Sequence, residues 1–363
     1  MSEELAEIIR EEIRARGPMP LYRWMWLCLY HPQHGYYTKP RPDGQRITGP
    51  GRDADFVTPP TLHPFFGEAI AKELAGMWQQ DGRPAVFRVL EYGGGEGGLA
   101  RAALAWADQA DPGFAAAVAW HHAEISPSHQ AAILHEKDSR VKLQPTQLWG
   151  AHHQPAGLPW PYDAVLACEY VDALPVDVLE AVDNGAWRQV AVESNASGFA
   201  EVLIEPRGLP LPERGAPGER RLVESEVQYW VEDAVEPGRT RHMLVVDYGA
   251  RGMPADLRGF RSHAAASFLD RPGDTDITRS VDFEALRFEV ECNPEPNGLV
   301  ETSFETLESF LLRHGVLDEL NAIDRSTPGG ASSYLRLRQL LLPTGLGAAF
   351  KVQRFDRIPA KQD

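Results

Sequence analysis

The segment Val86-Phe87-Arg88-Val89-Leu90-Glu91, continued by Tyr92-Gly93-Gly94-Gly95-Glu96-Gly97-Gly98, constrains the fold more than any other part of the chain. A short, mostly apolar run bounded by glycines reads as a buried strand. Glycine tolerates the backbone angles of a tight turn and lets a ligand approach the main chain. A helix is predicted next, from about Leu99 to Ala107. Further units follow the same plan, with strands predicted over 118–124, 141–144, 162–168 and 242–247. After the second strand, Ser126 can cap a helix that has Pro127 at its first position, where no N–H is missed. Strands alternating with helices predict an α/β three-layer sandwich, a mostly parallel sheet covered on both faces.

The chain has 363 residues, more than one minimal doubly wound domain needs, so additions to the core are expected. Leu5, Ile8, Ile9 and Ile13 fall at helical spacing, and Gly17-Pro18 ends that helix. Residues 21–30 form a second, nearly all-apolar helix. Residues 39–54 are rich in Gly, Pro and charge and read as a loop, either a surface connection or a lid over a site. A helix is expected from about Pro64 to Gln79. Asn184-Gly185 signals a hairpin over 176–192, whose exposed edge could dock a partner. Helices are expected near 282–291, 304–314 and 332–342, the middle one preceded by Thr302 and Glu305 at capping-box spacing. Residues 350–355 suit a closing strand. The expected organisation is an N-terminal helical extension with a lid loop (1–85), a core with a hairpin insertion (86–250), a helical substrate subdomain (251–345) and a closing strand with a tail (346–363).

A formal charge of -16 repels phosphate backbones, which argues against a general nucleic-acid binder; it would favour a cationic substrate, although a solvated acidic surface is the commoner explanation. Three scattered cysteines, Cys28, Cys168 and Cys292, support neither a disulfide framework nor a structural zinc site. The pairs His121-His122 and His152-His153 are adjacent, not spaced to share a metal on a helix, and no metal is expected. The charged first residues lack an apolar signal core, and Leu21 to Tyr30 is too short to cross a bilayer. A soluble, cytoplasmic protein without membrane contact is the expectation. The sequence leaves its oligomeric state open, a dimer included.

The glycine loop fits two chemistries. Gly93, Gly95 and Gly98 satisfy the GxGxxG spacing of dinucleotide folds, which would make the chain a nicotinamide oxidoreductase. Gly93, Gly95 and Gly97, with Glu91 two residues ahead, satisfy the ExGxGxG spacing of methyltransferases. Glu124, ending the second strand, suits ribose hydroxyls in either case. The 85 residues ahead of the first core strand favour the second, because a dinucleotide fold often begins with that strand.

Ordered blocks along nearly the whole chain then carry a resemblance. They include Tyr30-His31-Pro32-Gln33-His34-Gly35-Tyr36-Tyr37, Asp55-Phe56-Val57-Thr58-Pro59, Glu91 to Gly97, Glu124-Ile125-Ser126-Pro127, and Glu169-Tyr170-Val171-Asp172-Ala173-Leu174-Pro175. Val246-Asp247-Tyr248-Gly249, Leu257-Arg258-Gly259-Phe260 and Asp276-Ile277-Thr278 follow. The chain resembles the MidA-type methyltransferases, which include the mitochondrial complex I assembly-factor arginine methyltransferases. The resemblance implies a class I methyltransferase (Rossmann-like) fold with a seven-stranded sheet, S-adenosylmethionine as donor and a protein substrate methylated on arginine.

On this reading Glu91, Gly93, Gly95, Gly97, Glu124 and Cys168 line the donor site. Asp55 and Thr58 close over it, unless they only cap the next helix. Glu169 and Asp172 are the catalytic candidates: Glu169 can hold and polarise a guanidinium, or else merely bond backbone at a strand end, and Asp172 can fix the following turn. Asp247 and Tyr248 end the fifth strand, where open α/β sheets bind ligands, so they are candidates for the substrate pocket, with a buried structural tyrosine an equal reading of Tyr248. The chain departs from the family pattern Leu-Gly-Pro-Gly-Arg-Gly at Tyr92-Gly93-Gly94-Gly95-Glu96-Gly97. Pro59-Pro60-Thr61 stands for Ser-Pro-Glu, and Cys168 for Asn or His. These departures motivate an alternative, a catalytically silent donor-binding assembly factor.

Overall fold

The computed structural model describes residues 2–40, 58–144, 146–149, 152–155, 162–235, 240–254, 256–262, 264–292 and 298–358. Most of the glycine-rich loop expected over 39–54, and Asp55, lie outside the described residues.

Helix α1 (Ser2–Arg16) buries Leu5, Ile9 and Ile13, one stripe at i, i+4 spacing, and stops where Gly17 takes a φ of 81°. The short strand β1 (Met19–Pro20) leads into α2 (Leu21–Tyr30), which is apolar nearly all round and accordingly buried nearly all round. Helices α3 (Pro59–Leu62) and α4 (Phe65–Gln80) precede the core. The core runs β2 (Phe87–Tyr92), α5 (Gly98–Ala110), α6 (Pro112–Ala117), β3 (Val118–Ala123), α7 (Pro127–Leu134) and β4 (Val141–Leu143). A hairpin of β5 (Thr146–Trp149) and β6 (His152–Pro155) and then β7 (Ala164–Cys168) follow. Next come β8 (Asp177–Ala181), β9 (Trp187–Asn195), β10 (Gly198–Ile204), β11 (Arg220–Val223), α8 (Ser225–Ala234) and β12 (His242–Ala250). The remainder holds β13 (Leu257–Arg261), β14 (Ala264–Ala266), β15 (Asp276–Arg279), β16 (Val281–Asp282), α9 (Phe283–Cys292) and β17 (Leu299–Thr306). Helices α10 (Leu307–Arg313), α11 (Val316–Ala322), α12 (Pro328–Gln339) and α13 (Leu346–Ala349) lead to β18 (Phe350–Arg357).

The principal sheet has the order β17-β18-β12-β7-β2-β3-β4. Its strands from β4 to β12 pair in parallel, whereas β18 is antiparallel to both β12 and β17. Seven strands were expected; the sheet counts eight because two-residue β16 also pairs with β12. Side-chain alternation divides the apolar residues between two cores. Val89, Leu166 and Val246 face one core with α4, α5 and α10. Leu90, Val165 and Val245 face the other with α8 and α9. This two-sided burial makes the molecule three-layered.

Three expectations change. The hairpin β8–β9 does not present an open edge: β10 and β1 cover β9, and β11 covers β8, in a separate five-stranded sheet. That sheet packs on α1 and α2 through Val178, Val190 and Val192. Thr302 and Glu305 do not cap a helix, because their segment is strand β17, which shields the edge of β18. The cap falls at Thr306, whose hydroxyl accepts the Ser309 N–H at 3.2 Å. The region expected as helical, 251–345, also holds the small sheet β14-β13-β15 and supplies β17 to the principal sheet.

Candidate active site

The C-terminal ends of β2, β7 and β12 are neighbours in the parallel sheet, and a cavity of about 710 Å³ opens above them. Each loop glycine has its own reason to lack a side chain. Gly93 has φ 65° and sits against Tyr170, whose Cδ2 would lie 2.9 Å from an added Cβ. At Gly94 the obstacle is the His122 ring. Gly95, at φ 55°, meets nothing within 4 Å and faces the cavity. Gly97 has φ 75° and begins α5. It does not line the cavity, unlike Gly93 and Gly95.

Two carboxylates flank this loop. Glu124 accepts the N–H groups of Gly95 (2.9 Å), Ile125 (2.8 Å) and Ser126 (2.8 Å). Burial alone would push its carboxyl up, but His129 and the Ser126 and Gly95 amides outweigh burial and hold it below its ordinary value. Glu91 accepts the Trp120 indole N–H at 2.7 Å. Burial, reinforced by the Glu124 charge and only partly offset by Trp120, pushes Glu91 up to about 8. Thr58 also lines the cavity while serving as the N-cap of α3, its N–H donating to Thr61 Oγ1 at 3.2 Å, so the two readings of this residue coincide. Cys168 is a buried wall whose thiol burial pushes far up.

On the neighbouring strand, Glu169 follows β7 in the left-handed region, with φ 52°, while its N–H donates to Val246 O at 2.9 Å. Such a conformation in a non-glycine residue costs roughly 1–3 kcal/mol and collects at functional sites. Burial first, then Asp172, Asp247 and Asp276, push Glu169 well above the usual carboxyl range. Asp172 Oδ2 accepts the Thr278 hydroxyl at 2.7 Å, and Tyr248 also bonds to Thr278. Asp172 Oδ1 is buried and has no hydrogen-bond partner among the described residues. Asp247 does not reach the cavity. It is fully buried and accepts the N–H groups of Val171 (3.1 Å), Asp172 (3.2 Å) and Tyr248 (2.8 Å), which fixes the turn carrying Asp172.

Sequence reasoning assigned no role to several lining residues: Tyr30, Tyr37, Tyr170, Arg258, Asp276 and Thr278. Tyr37 donates to Asp276 Oδ1 at 2.9 Å, and the Arg258 guanidinium lies 5.2 Å over the Tyr248 ring. All six fall in sequence blocks already singled out, and that was the one available signal. Among the described residues no group of His, Cys, Asp or Glu could hold a metal ion, and no helix is long and apolar enough to cross a membrane.

The open sheet, its glycine turn and the acid at the end of each of the first two strands define a class I methyltransferase architecture. A family model described as "Putative S-adenosyl-L-methionine-dependent methyltransferase" matches residues 69–293, more than half of the chain, and the chain belongs to this family. A Drosophila melanogaster relative, "Protein arginine methyltransferase NDUFAF7 homolog, mitochondrial", is 30% identical over 334 residues, spanning 81% of this chain and 73% of its own. The human "Protein arginine methyltransferase NDUFAF7, mitochondrial" is 26% identical over 306 residues, spanning 76% and 66%. A Burkholderia thailandensis protein whose crystal structure holds S-adenosyl-homocysteine superimposes with a TM-score of 0.80 at 24% identity, covering 98% of this chain and 92% of that one, a likeness of fold. The protein is thus an S-adenosylmethionine-dependent methyltransferase, and the oxidoreductase alternative falls away. The cytoplasmic location expected from composition is overturned, since the relatives are named as mitochondrial.

The residues present fit the donor. Gly95 leaves a cradle that a side chain would fill, and the two flanking acids suit its polar ends.

Proposed function

We propose that the protein methylates an arginine side chain of a protein substrate. The carrying observation is the pair Glu169 and Asp172, two cavity-lining carboxyls beside the glycine loop, one on a strained backbone and one with an unpartnered buried oxygen. The names of the relatives agree with this chemistry.

Glu91, Gly93, Gly95 and Glu124 would hold S-adenosylmethionine, Glu124 as an ionised acceptor for ribose hydroxyls and Glu91 facing its ammonium group. The donor supplies an electrophilic methyl group on a sulfonium. A guanidinium is planar and permanently charged, so it matches a carboxylate through paired N–H bonds. Its entry beside Glu169 favours the ionised carboxylate, offsetting the repulsion from Asp172, Asp247 and Asp276. As the C–N bond forms and the C–S bond breaks, the nitrogen releases one proton, which Asp172 Oδ1 or Glu169 accepts. Alignment of this kind lowers barriers by roughly 7–11 kcal/mol in favourable cases. Arg258, Asp276 and Thr278 come from β13 and β15, which supports the 251–345 region as the acceptor side.

The test is incubation with S-adenosylmethionine and arginine-containing proteins, followed by mass spectrometry. Methylarginine in the acceptor is expected. Methyl groups found only on other residue types, or donor binding without turnover on any partner, would replace this reading with another acceptor or with a silent assembly factor.

A further inference from the structure

Strand β3 carries two adjacent histidines, and only one has a conventional partner. His121 Nδ1 meets the Gln144 amide. His122 is fully buried, and neither ring nitrogen makes a hydrogen bond among the described residues. An isolated buried imidazole of this kind is costly, which prompts the question of what its position achieves. Its Nδ1 lies 3.3 Å from Glu91 Oε2. A Cβ built on Gly94 would lie 2.2 Å from that same Nδ1 and 3.0 Å from the Glu91 carboxyl carbon. The far side of the ring reaches Gly97, with Nε2 3.8 Å from a Cβ there. His122 therefore fills the space where a side chain at Gly94 would stand and lies within 3.3 Å of the acid beside the loop.

We infer that His122 is a positioning residue for the methyl donor, acting with Gly94 and Glu91 as one unit. The ring fixes the height of the glycine loop and sets a polar group against the Glu91 carboxylate. The inference rests on the reading that the loop and Glu91 receive the donor. The charged and titratable groups around the ring are Glu91 of β2, His121 of β3, Glu124 just beyond the end of β3, and Arg101 of α5. Burial pushes His122 down to about 4, so the ring is neutral at working pH and acts through its dipole and shape. Glu91, pushed up to about 8 by burial, must ionise to meet an ammonium group, so donor affinity should rise as the pH climbs toward that value.

The experiment is calorimetric titration of the full chain with S-adenosylhomocysteine, which keeps the donor's ammonium group, from about pH 6 to about pH 9. If the unaltered protein fails to bind, the donor-site reading itself falls. If it binds, four variants decide the inference. Gly94→Ala should lose at least about tenfold in affinity, because a side chain there collides with the imidazole. Gly94→Ala combined with His122→Ser should recover most of that loss. His122→Leu, which removes the polar group facing Glu91, should move the midpoint of the affinity–pH curve upward, whereas His122→Asn, which loosens the packing but keeps a polar group there, should leave the midpoint near the parent's. If Gly94→Ala does not fold, the His122→Leu midpoint decides alone. An unchanged midpoint in His122→Leu, or a double variant no better than Gly94→Ala, overturns the inference.

Discussion

Glu169 illustrates how a single backbone angle can accompany a carboxyl in a cavity wall. Its left-handed φ follows five consecutive buried residues of β7 and turns the chain across the cavity. Replacing Glu169 with Gln keeps the shape and removes the charge. Turnover is expected to fall about 10²–10⁴-fold, the range for loss of a proton-accepting or orienting carboxylate. Affinity for S-adenosylhomocysteine should stay within about threefold, because the proposed role sets Glu169 against the acceptor and not the donor. Steady-state kinetics beside calorimetry checks the split; a parallel loss of both would move Glu169 to the donor side. Gly95 is the converse case. It meets nothing within 4 Å, so Gly95→Val has room, but its φ of 55° strains a β-branched residue and its side chain would project into the donor cradle. Donor binding is expected to disappear while circular dichroism remains native. Retained affinity would place the donor elsewhere.

Among the elements, α4 is tied to the far edge of the sheet by one buried acid. Glu73 receives Arg313 (2.8 Å), His314 (2.9 Å) and Arg354 (2.7 Å), which joins α4 to the end of α10 and to β18. Burial opposes its ionisation, yet the bonds from His314, Arg313 and Arg354 outweigh burial and hold the carboxyl far below its ordinary value of 4.5. A lowered folded-state value means that this stabilisation is complete above about pH 4.5 and is lost as the pH falls further. Glu73→Ala should cost about 1–3 kcal/mol near neutrality, since Arg313 and Arg354 lose this charged hydrogen-bond partner and keep only Glu305 and Asp356. Urea denaturation at neutral pH and at about pH 3 would measure both effects; a difference between variant and parent that does not shrink in acid would show that Glu73 acts by packing alone. The same junction explains why β17 is a strand. It covers β18, whose Val352 and Phe355 lie in the two cores, and a helix over 302–305 would have left that edge bare.

At the scale of the whole molecule, α1, α2 and the five-stranded sheet form a third apolar cluster that also contains Ile277 of β15. Tyr30 and Tyr37, at and just beyond the end of α2, reach the cavity, so the N-terminal extension builds part of its wall. Deleting residues 2–30 would strip Val176, Val178, Val190 and Val192 of cover. The truncated chain should aggregate, as size-exclusion chromatography would show. A monodisperse product that still binds donor would mean the extension is dispensable.

The alternation of strands and helices, the glycine turn and the two acids that flank it were legible in the chain itself. They depend on near neighbours: a period of two or 3.6 in apolar residues, and a turn that only glycine fits. The part of the cavity wall away from the glycine turn was not legible in this way. Tyr37 and Asp276 are 239 residues apart yet hydrogen-bonded, Asp172 and Thr278 are 106 apart, and Asp247 lies behind the wall because its oxygens are taken by three backbone amides. Likewise the 176–192 hairpin carries an unmistakable turn, but whether its edges were open depended on β1, β10 and β11. Local pattern determines which segments become strands and helices; which side chains meet, and which carboxylates share one buried space, follows only when the layers close and desolvate them together.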